Sequence, residues 1–305
     1  MSVKKLRIDG RNLKMIYVTK EGSRFPFSKG ILARSLTITG LTLDERYEIV
    51  KEINKEFEES GRKEIPSKEI KEKVQNKLLN KGYKEEEKFY RVSRKIRYLE
   101  RPILILIGGG PGVGKSTLSS ELGHRLGINR IVGGDTVREI MRTMLSYELV
   151  PPLHESTFMT DKIVKAPFVS NKLIHGYDQQ VSLVSVGINA VIYRGIKEGL
   201  NSIINGVHIV PGYLDLDKKD CCYIFQYILE VPDLDEHIER FKSRAEGSHR
   251  DPSRYIDRIN KIREIQEYTI QQAIEHGAKV IKNKDMETTI RNIMEDVISN
   301  LESEV

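Results

Sequence analysis

Ile103-Leu-Ile-Leu-Ile-Gly108 runs directly into Gly109-Gly-Pro-Gly-Val-Gly-Lys115-Ser-Thr117, and this stretch decides the fold. Its first part is an apolar run of strand length, rich in β-branched residues. Gly109, Gly110, Pro111, Gly112, Val113, Gly114, Lys115 and Ser116 then fit the phosphate-loop pattern, with four residues between Gly109 and Gly114 and Gly-Lys-Ser at the end. Glycines let the backbone turn tightly and aim successive N–H groups at one anion. Lys115 then reaches the β- and γ-phosphates, and the Ser116 hydroxyl holds Mg²⁺. Thr117 to Leu126 reads as a helix whose N-terminus faces the same phosphates. Residues 109–117 are therefore predicted to bind a nucleoside triphosphate, ATP, with Mg²⁺.

Beyond residue 102, strands and helices alternate. A second strand, Arg130-Ile-Val-Gly-Gly134-Asp135, ends in an acid, and a helix is predicted from about Val137 to Tyr147. Thr160 to Gly199 reads as largely helical with a break near Gly176. Ser202 to Val210, Tyr223 to Val231 and Ala278 to Ile281 read as further strands. Alternation of this kind predicts a parallel sheet covered by helices, in the order 2-3-1-4-5 expected of a phosphate-loop kinase.

The first hundred residues have a different texture. A strand pair is predicted at Met15 to Thr19 and Arg24 to Phe27, turning at Gly22-Ser23. Thr42-Leu-Asp-Glu45 spells a capping box, followed by the apolar stripe Ile49, Ile53 and Phe57. Pro66-Ser67 starts a second helix with Ile70, Val74 and Leu78, and a third carries Phe89, Val92, Ile96 and Leu99 before Arg101-Pro102. The expected division is therefore 1–100 and 101–305.

Bulk composition narrows the function classes. A chain of 305 residues with 39% hydrophobic and 31% charged residues can bury two cores. No apolar run approaches the roughly 18–20 residues of a membrane span, and the start lacks an apolar leader core, so a cytoplasmic protein is expected. The net charge of +6 favours anionic partners but lies in no long basic block, which argues for small phosphorylated ligands over nucleic acid. Adjacent Cys221 and Cys222 are expected as buried thiols on a core strand rather than a disulfide. No histidine or cysteine has zinc-ligand spacing.

Asp135, at a strand end facing the phosphate loop, is predicted to accept the acceptor hydroxyl's proton or to hold Mg²⁺ through water. A simpler role as the cap of the next helix competes with this. Arg138, one turn further on, is placed to grip an acceptor phosphate bidentately. His208 and the Pro211-Gly212 turn are expected to line the crevice. Arg240 and Arg244, four apart on one helix face, and Arg250 beyond Gly247-Ser suit a lid over the transferring phosphates. Asn205, at the third strand's end, cannot take a proton or bring full charge to a metal.

Two family resemblances follow from these segments. Val18-Thr-Lys20-Glu-Gly22, Phe25-Pro-Phe27-Ser-Lys29-Gly30 and Phe89-Tyr90-Arg91 resemble the ATP-cone, a nucleotide-binding regulatory module. That resemblance implies a second nucleotide, with Lys20, Arg24 and Lys29 against its phosphates. Across nearly the whole chain, Gly108 to Thr117, Gly134-Asp135-Thr-Val-Arg138-Glu139, Leu153-His154-Glu-Ser156-Thr157, Gly206-Val-His208-Ile-Val-Pro211-Gly212 and the arginines from Arg240 to Arg250 resemble archaeal 2-phosphoglycerate kinase. The family usually carries Glu where this chain has Asn205. What the resemblance implies is ATP-dependent conversion of 2-phosphoglycerate to 2,3-bisphosphoglycerate, a precursor of a cyclic solute in methanogens. The residues alone leave two alternatives: a kinase of another small acceptor, such as a nucleoside or inositol phosphate, or a nucleotide-sensing regulator without catalysis.

Overall fold

The computed structural model describes residues 15–96, 99–217, 220–246, 251–302 and 304. It divides into two compact units, Met1–Lys95 and Ile96–Val305.

The first unit opens with an antiparallel hairpin, β1 (Tyr17–Lys20) and β2 (Ser23–Pro26). Its two-residue turn needs left-handed backbone at both positions, supplied by Glu21 at φ 49° and Gly22 at φ 78°. After the short helix α1 (Lys29–Ser35) comes α2 (Leu43–Glu59), started by the predicted capping box with both Thr42–Glu45 bonds formed. β3 (Glu64–Pro66) then joins the hairpin, parallel to β1, and leads into α3 (Ser67–Asn80) and α4 (Lys84–Ile96). The predicted stripes Ile49, Ile53, Phe57 and Ile70, Val74, Leu78 are buried. A ladder of lysines on α3 and at its C-cap faces glutamates on α2, with Lys73–Glu56 at 2.6 Å, Lys77–Glu52 at 3.0 Å and Lys81–Glu52 at 2.9 Å. Partly exposed pairs like these add about 0–1 kcal/mol each, so the buried stripes dominate.

The second unit is a three-layer α/β arrangement. In chain order it holds β4 (Ile103–Gly108), α5 (Lys115–Leu126), β5 (Arg130–Gly133), α6 (Gly134–Met144), α7 (Pro151–His154), α8 (Lys172–Lys197), β6 (Ser202–Asn205), β7 (Tyr223–Glu230), α9 (Leu234–Glu246), α10 (Ser253–Ile256), α11 (Ile259–His276), β8 (Lys279–Lys282) and α12 (Met286–Glu302). All sheet pairings are parallel, in the order β5-β6-β4-β7-β8, which counted within this unit is the predicted 2-3-1-4-5. β4 is buried along its whole length, as a central parallel strand must be. Its residues alternate: Leu104 and Leu106 join Ile204, Val184, Ile188 and Ile192 in one core, with Val137 of α6 beside them. A second core links α8, α9 and α11 through Tyr177, Val181, Phe241, Ile262 and Ile265.

Three sequence expectations are corrected. The third strand stops at Asn205 instead of Val210, because the chain turns at Gly206 onto Gly134. There is no break at Gly176; α8 runs through it, and the glycine lets Thr160 pack close, since a Cβ there would sit 2.6 Å from the Thr160 carbonyl oxygen. Of the two cysteines, Cys222 is buried but Cys221 is exposed, and both precede β7. No helix among the described residues is long and apolar enough to cross a membrane.

Candidate active site

The site lies where three strands end on one edge of the sheet. Ile107 is level with Asn205, and Asn205 with Gly133, so the phosphate loop after β4, the start of α6 and the turn after β6 emerge side by side. The 206–210 turn closes against both neighbours. A Cβ on Gly206 would lie 3.1 Å from Gly134 Cα, and one on Gly108 would lie 2.0 Å from the Ile209 carbonyl oxygen.

The phosphate loop takes its shape from its own lysine and from donors on other elements. Lys115 Nζ donates to the carbonyls of Gly109 at 2.9 Å and Gly110 at 2.7 Å. His237 Nε2 bonds the Pro111 carbonyl at 2.8 Å, and Asn283 Nδ2 donates to the Val113 carbonyl at 2.8 Å. The Gly114 carbonyl accepts the first helical bond of α5, from Leu118 N–H at 3.0 Å. With its carbonyls drawn outward, the loop leaves its N–H groups for an anion at the α5 N-terminus. Gly112 and Gly114 sit at φ 83° and 92°, a conformation costly for any other residue.

Lys115 is almost fully buried, and burial lowers its pKa to about 8, with Asp135 pulling it up and Arg244 pushing it down. A triphosphate on the loop would restore its full positive charge. Ser116, Thr117 and Asp135 are exposed at this edge. Asp135 lies in the first turn of α6, whose cap is Gly133, so the carboxylate does not serve as the helix cap. No cluster of three metal-ligating side chains occurs among the described residues. Ser116 and Asp135 offer a hydroxyl and a carboxylate, the oxygen donors that a hard cation such as Mg²⁺ takes.

The arginines and the histidine behave differently from expectation. The Nε and Nη2 of Arg138, the fork predicted to grip an acceptor phosphate, donate instead to the carbonyls of Leu153, at 2.9 Å, and Glu155. Burial lowers its pKa, opposed by nearby Asp135. Arg240 also works on protein: it pairs with Glu236 at 2.5 Å and donates to the carbonyls of Asn283 and Val113. It braces the phosphate loop from behind. Arg244, one turn along α9, is exposed and within electrostatic reach of Lys115. Arg250 lies outside the described residues. His208 is fully buried instead of lining an open crevice; its Nε2 meets Gln180 Oε1 at 2.9 Å. In the first unit Arg24 pairs with Glu64 at 3.1 Å and stacks on Tyr17, and Lys29 is exposed at the start of α1.

Comparison with known proteins fits this geometry. An ATP cone domain model matches residues 15–98 and an AAA domain model residues 105–269. A 2-phosphoglycerate kinase of Thermococcus kodakarensis is 43% identical over 290 residues, covering 94% of this chain and 99% of the relative. That of Pyrococcus furiosus is 43% identical with 90% of each chain covered, and that of Methanopyrus kandleri 36% identical with 94% and 88% covered.

The chain belongs to the 2-phosphoglycerate kinase family.

Four residues of this family member escaped the sequence reading: His237 and Asn283, which bond the phosphate loop, Gln180, and Arg254, which donates to Ser156 Oγ. Only Asn283 carried a signal, as a polar residue two positions past the strand predicted to end at Ile281. Arg240→Ala is expected to weaken ATP binding about tenfold, since a charged hydrogen bond contributes roughly 1.5–3 kcal/mol and Asn283 still holds Val113. Steady-state kinetics check it: a rise in the KM for ATP fits a brace, whereas a fall in kcat at unchanged KM would mean that Arg240 acts on the transition state.

Proposed function

We propose that the protein transfers the γ-phosphoryl group of ATP to the free hydroxyl of 2-phosphoglycerate, giving 2,3-bisphosphoglycerate. The whole-length family match carries this reading, and the preformed phosphate loop beside Asp135 supports it. The hydroxyl oxygen forms a bond to the γ-phosphorus, and the bond from that phosphorus to the β–γ bridging oxygen breaks. The hydroxyl proton passes to the Asp135 carboxylate. Lys115 and the loop N–H groups take up charge on the β- and γ-phosphate oxygens, and Arg244 adds a cation from α9. Ser116, and Asp135 through water, would hold Mg²⁺, which would neutralise phosphate charge. Arg138 and His208 serve the acceptor side from within the protein.

The direct test is ADP release with and without 2-phosphoglycerate, with the product identified by ³¹P NMR. Nucleoside and inositol phosphates are run in parallel. Release that 2-phosphoglycerate does not stimulate would remove the reading, and stimulation by another acceptor would redirect it. A cytoplasmic location belongs to the same proposal.

The N-terminal unit is proposed to bind a second nucleotide and to fold independently of the kinase unit. A fragment of residues 96–305 is then expected to remain soluble and bind MgATP within about threefold of the full chain, because the phosphate loop and its braces all lie in that unit. Calorimetric titration checks it; loss of ATP binding by a folded fragment would mean that the first unit completes the site.

A further inference from the structure

The acceptor proposed above carries a phosphate of its own, on the carbon next to the attacked hydroxyl. Four bonds of about 1.5 Å separate that hydroxyl oxygen from the phosphorus, so the second phosphate projects roughly 5 Å beyond the reacting centre. A dianion there calls for a cation on the acceptor side. Arg138, expected in that role, gives its fork to the carbonyls of Leu153 and Glu155 instead.

Arg254, on α10, is exposed and reaches the same segment. Its Nη2 donates to Ser156 Oγ, and its guanidinium lies 5.9 Å from the centre of the Phe158 ring. Two runs of contacts place this pair at the active edge. On one side, Ser156 follows Glu155, whose carbonyl takes bonds from Arg138 and from Gln180 Nε2. Arg138 stands one helical turn from Asp135, on the same face of α6. On the other side, Tyr255, next to Arg254, stacks on Phe241 at 4.9 Å, and Phe241 stacks on His237 at 5.4 Å. The Phe241 ring abuts the phosphate loop, since a Cβ on Gly112 would lie 2.5 Å from it. Phe158 ends the row, 5.5 Å from Tyr255. Arg254 and Ser156 thus join the phosphate-loop side of the site to its Asp135 side.

A guanidinium has five N–H donors, and among the described residues Arg254 spends one of them, on the Ser156 hydroxyl. Having accepted that bond, the half-buried Ser156 hydroxyl keeps its own hydrogen to donate. A charged planar fork beside a hydroxyl donor is a set that a phosphate dianion takes up. The geometry points to Arg254, with Ser156, as the residues that bind the phosphate already present on the acceptor. This rests on the kinase reading above. With that phosphate held between α10 and the Leu153–Thr157 segment, the hydroxyl is left to face Asp135 and the γ-phosphate. The spacing between the two phosphate sites is set by packed rings, from Gly112 through Phe241 and Tyr255 to Phe158. An acceptor without its own phosphate leaves Arg254 unmatched, so the contact selects 2-phosphoglycerate over glycerate.

Three variants of the full chain test this. Arg254→Gln is expected to raise the KM for 2-phosphoglycerate about 10- to 100-fold, the cost of a lost charge-assisted grip, with the KM for ATP unchanged within about twofold. Arg254→Lys keeps the charge without the fork and should recover part of that loss. Ser156→Ala removes one neutral donor and should cost no more than about fivefold. A purely structural bridge predicts otherwise: cutting it from either end would do equal harm, and Ser156→Ala would match Arg254→Gln. Competition by glycerol 2-phosphate, which has the phosphate but no carboxylate, shows which anion is held. Its inhibition constant should rise in Arg254→Gln by the same factor as the KM for 2-phosphoglycerate. Inhibition that is equal in wild type and variant, or absent from both, overturns the inference, as does an unchanged KM for 2-phosphoglycerate in Arg254→Gln. Failure of the wild type to phosphorylate 2-phosphoglycerate overturns the function instead, and the two failures are read separately.

Discussion

Lys115→Ala is expected to lower turnover about 100- to 1,000-fold with the fold retained. The ammonium of Lys115 is the one cation that the phosphate loop itself aims at the transferring group. Loss of a single preorganised charge-stabilising donor costs roughly 10²–10³ in kcat. Packing depends on it less, because burial already disfavours its charged form and lowers its pKa to about 8. The buried carbonyls of Gly109 and Gly110 lose a donor, which costs about 1–3 kcal/mol of stability each and lowers the melting temperature without unfolding the chain. The check is kcat with saturating ATP and 2-phosphoglycerate, alongside circular dichroism melting. A variant with wild-type turnover would mean that this loop is not the catalytic centre.

Asp135→Asn is expected to be comparably severe, at about 100- to 10,000-fold in kcat, the usual range for removing a general base. The severity follows from the neighbouring strand end. Asn205, level with Gly133, is an amide where a carboxylate could have shared the task. With Asp135 replaced by an isosteric amide, none of the strand ends that meet at the crevice supplies an acid. Because Asp135 is exposed and caps nothing, stability should change little. Turnover above about a tenth of wild type would mean that the proton leaves by another route, through water or the substrate's own phosphate.

Much of this architecture was legible from local signals. Gly109 to Ser116 and the apolar run before it specify a strand, a turn and a helix within fifteen residues. The capping box at Thr42 and the stripes at Ile49 and Ile70 likewise depend on near neighbours and formed as predicted. What escaped depends on distant partners. β3 is three residues long, too short for any periodicity, and exists because β1 offers an edge. Gly176 read as a helix break because glycine weakens helices, yet here it serves the approach of Thr160. Arg138 and Arg240 were expected to face phosphate, but both guanidinium groups donate to backbone carbonyls, of residues 15 and 43 positions away in the chain. Which way a backbone carbonyl points in a loop is set by the assembled fold. The sequence therefore showed where positive charge gathers and not which of it faces the ligand.

The ring of donors around the phosphate loop has a further consequence. Lys115, His237, Asn283 and Arg240 hold its carbonyls in place. Ordering a flexible glycine-rich segment costs roughly 1–2 kcal/mol for each residue fixed. Here that ordering is completed when α9 and the turn after β8 close on the loop during folding. ATP then meets a rigid receptor, and its arrival should be limited by diffusion and desolvation rather than by rearrangement of the chain. The same rigidity makes the loop indifferent to what the phosphates are attached to. Discrimination among triphosphates must then fall to whatever surrounds the base.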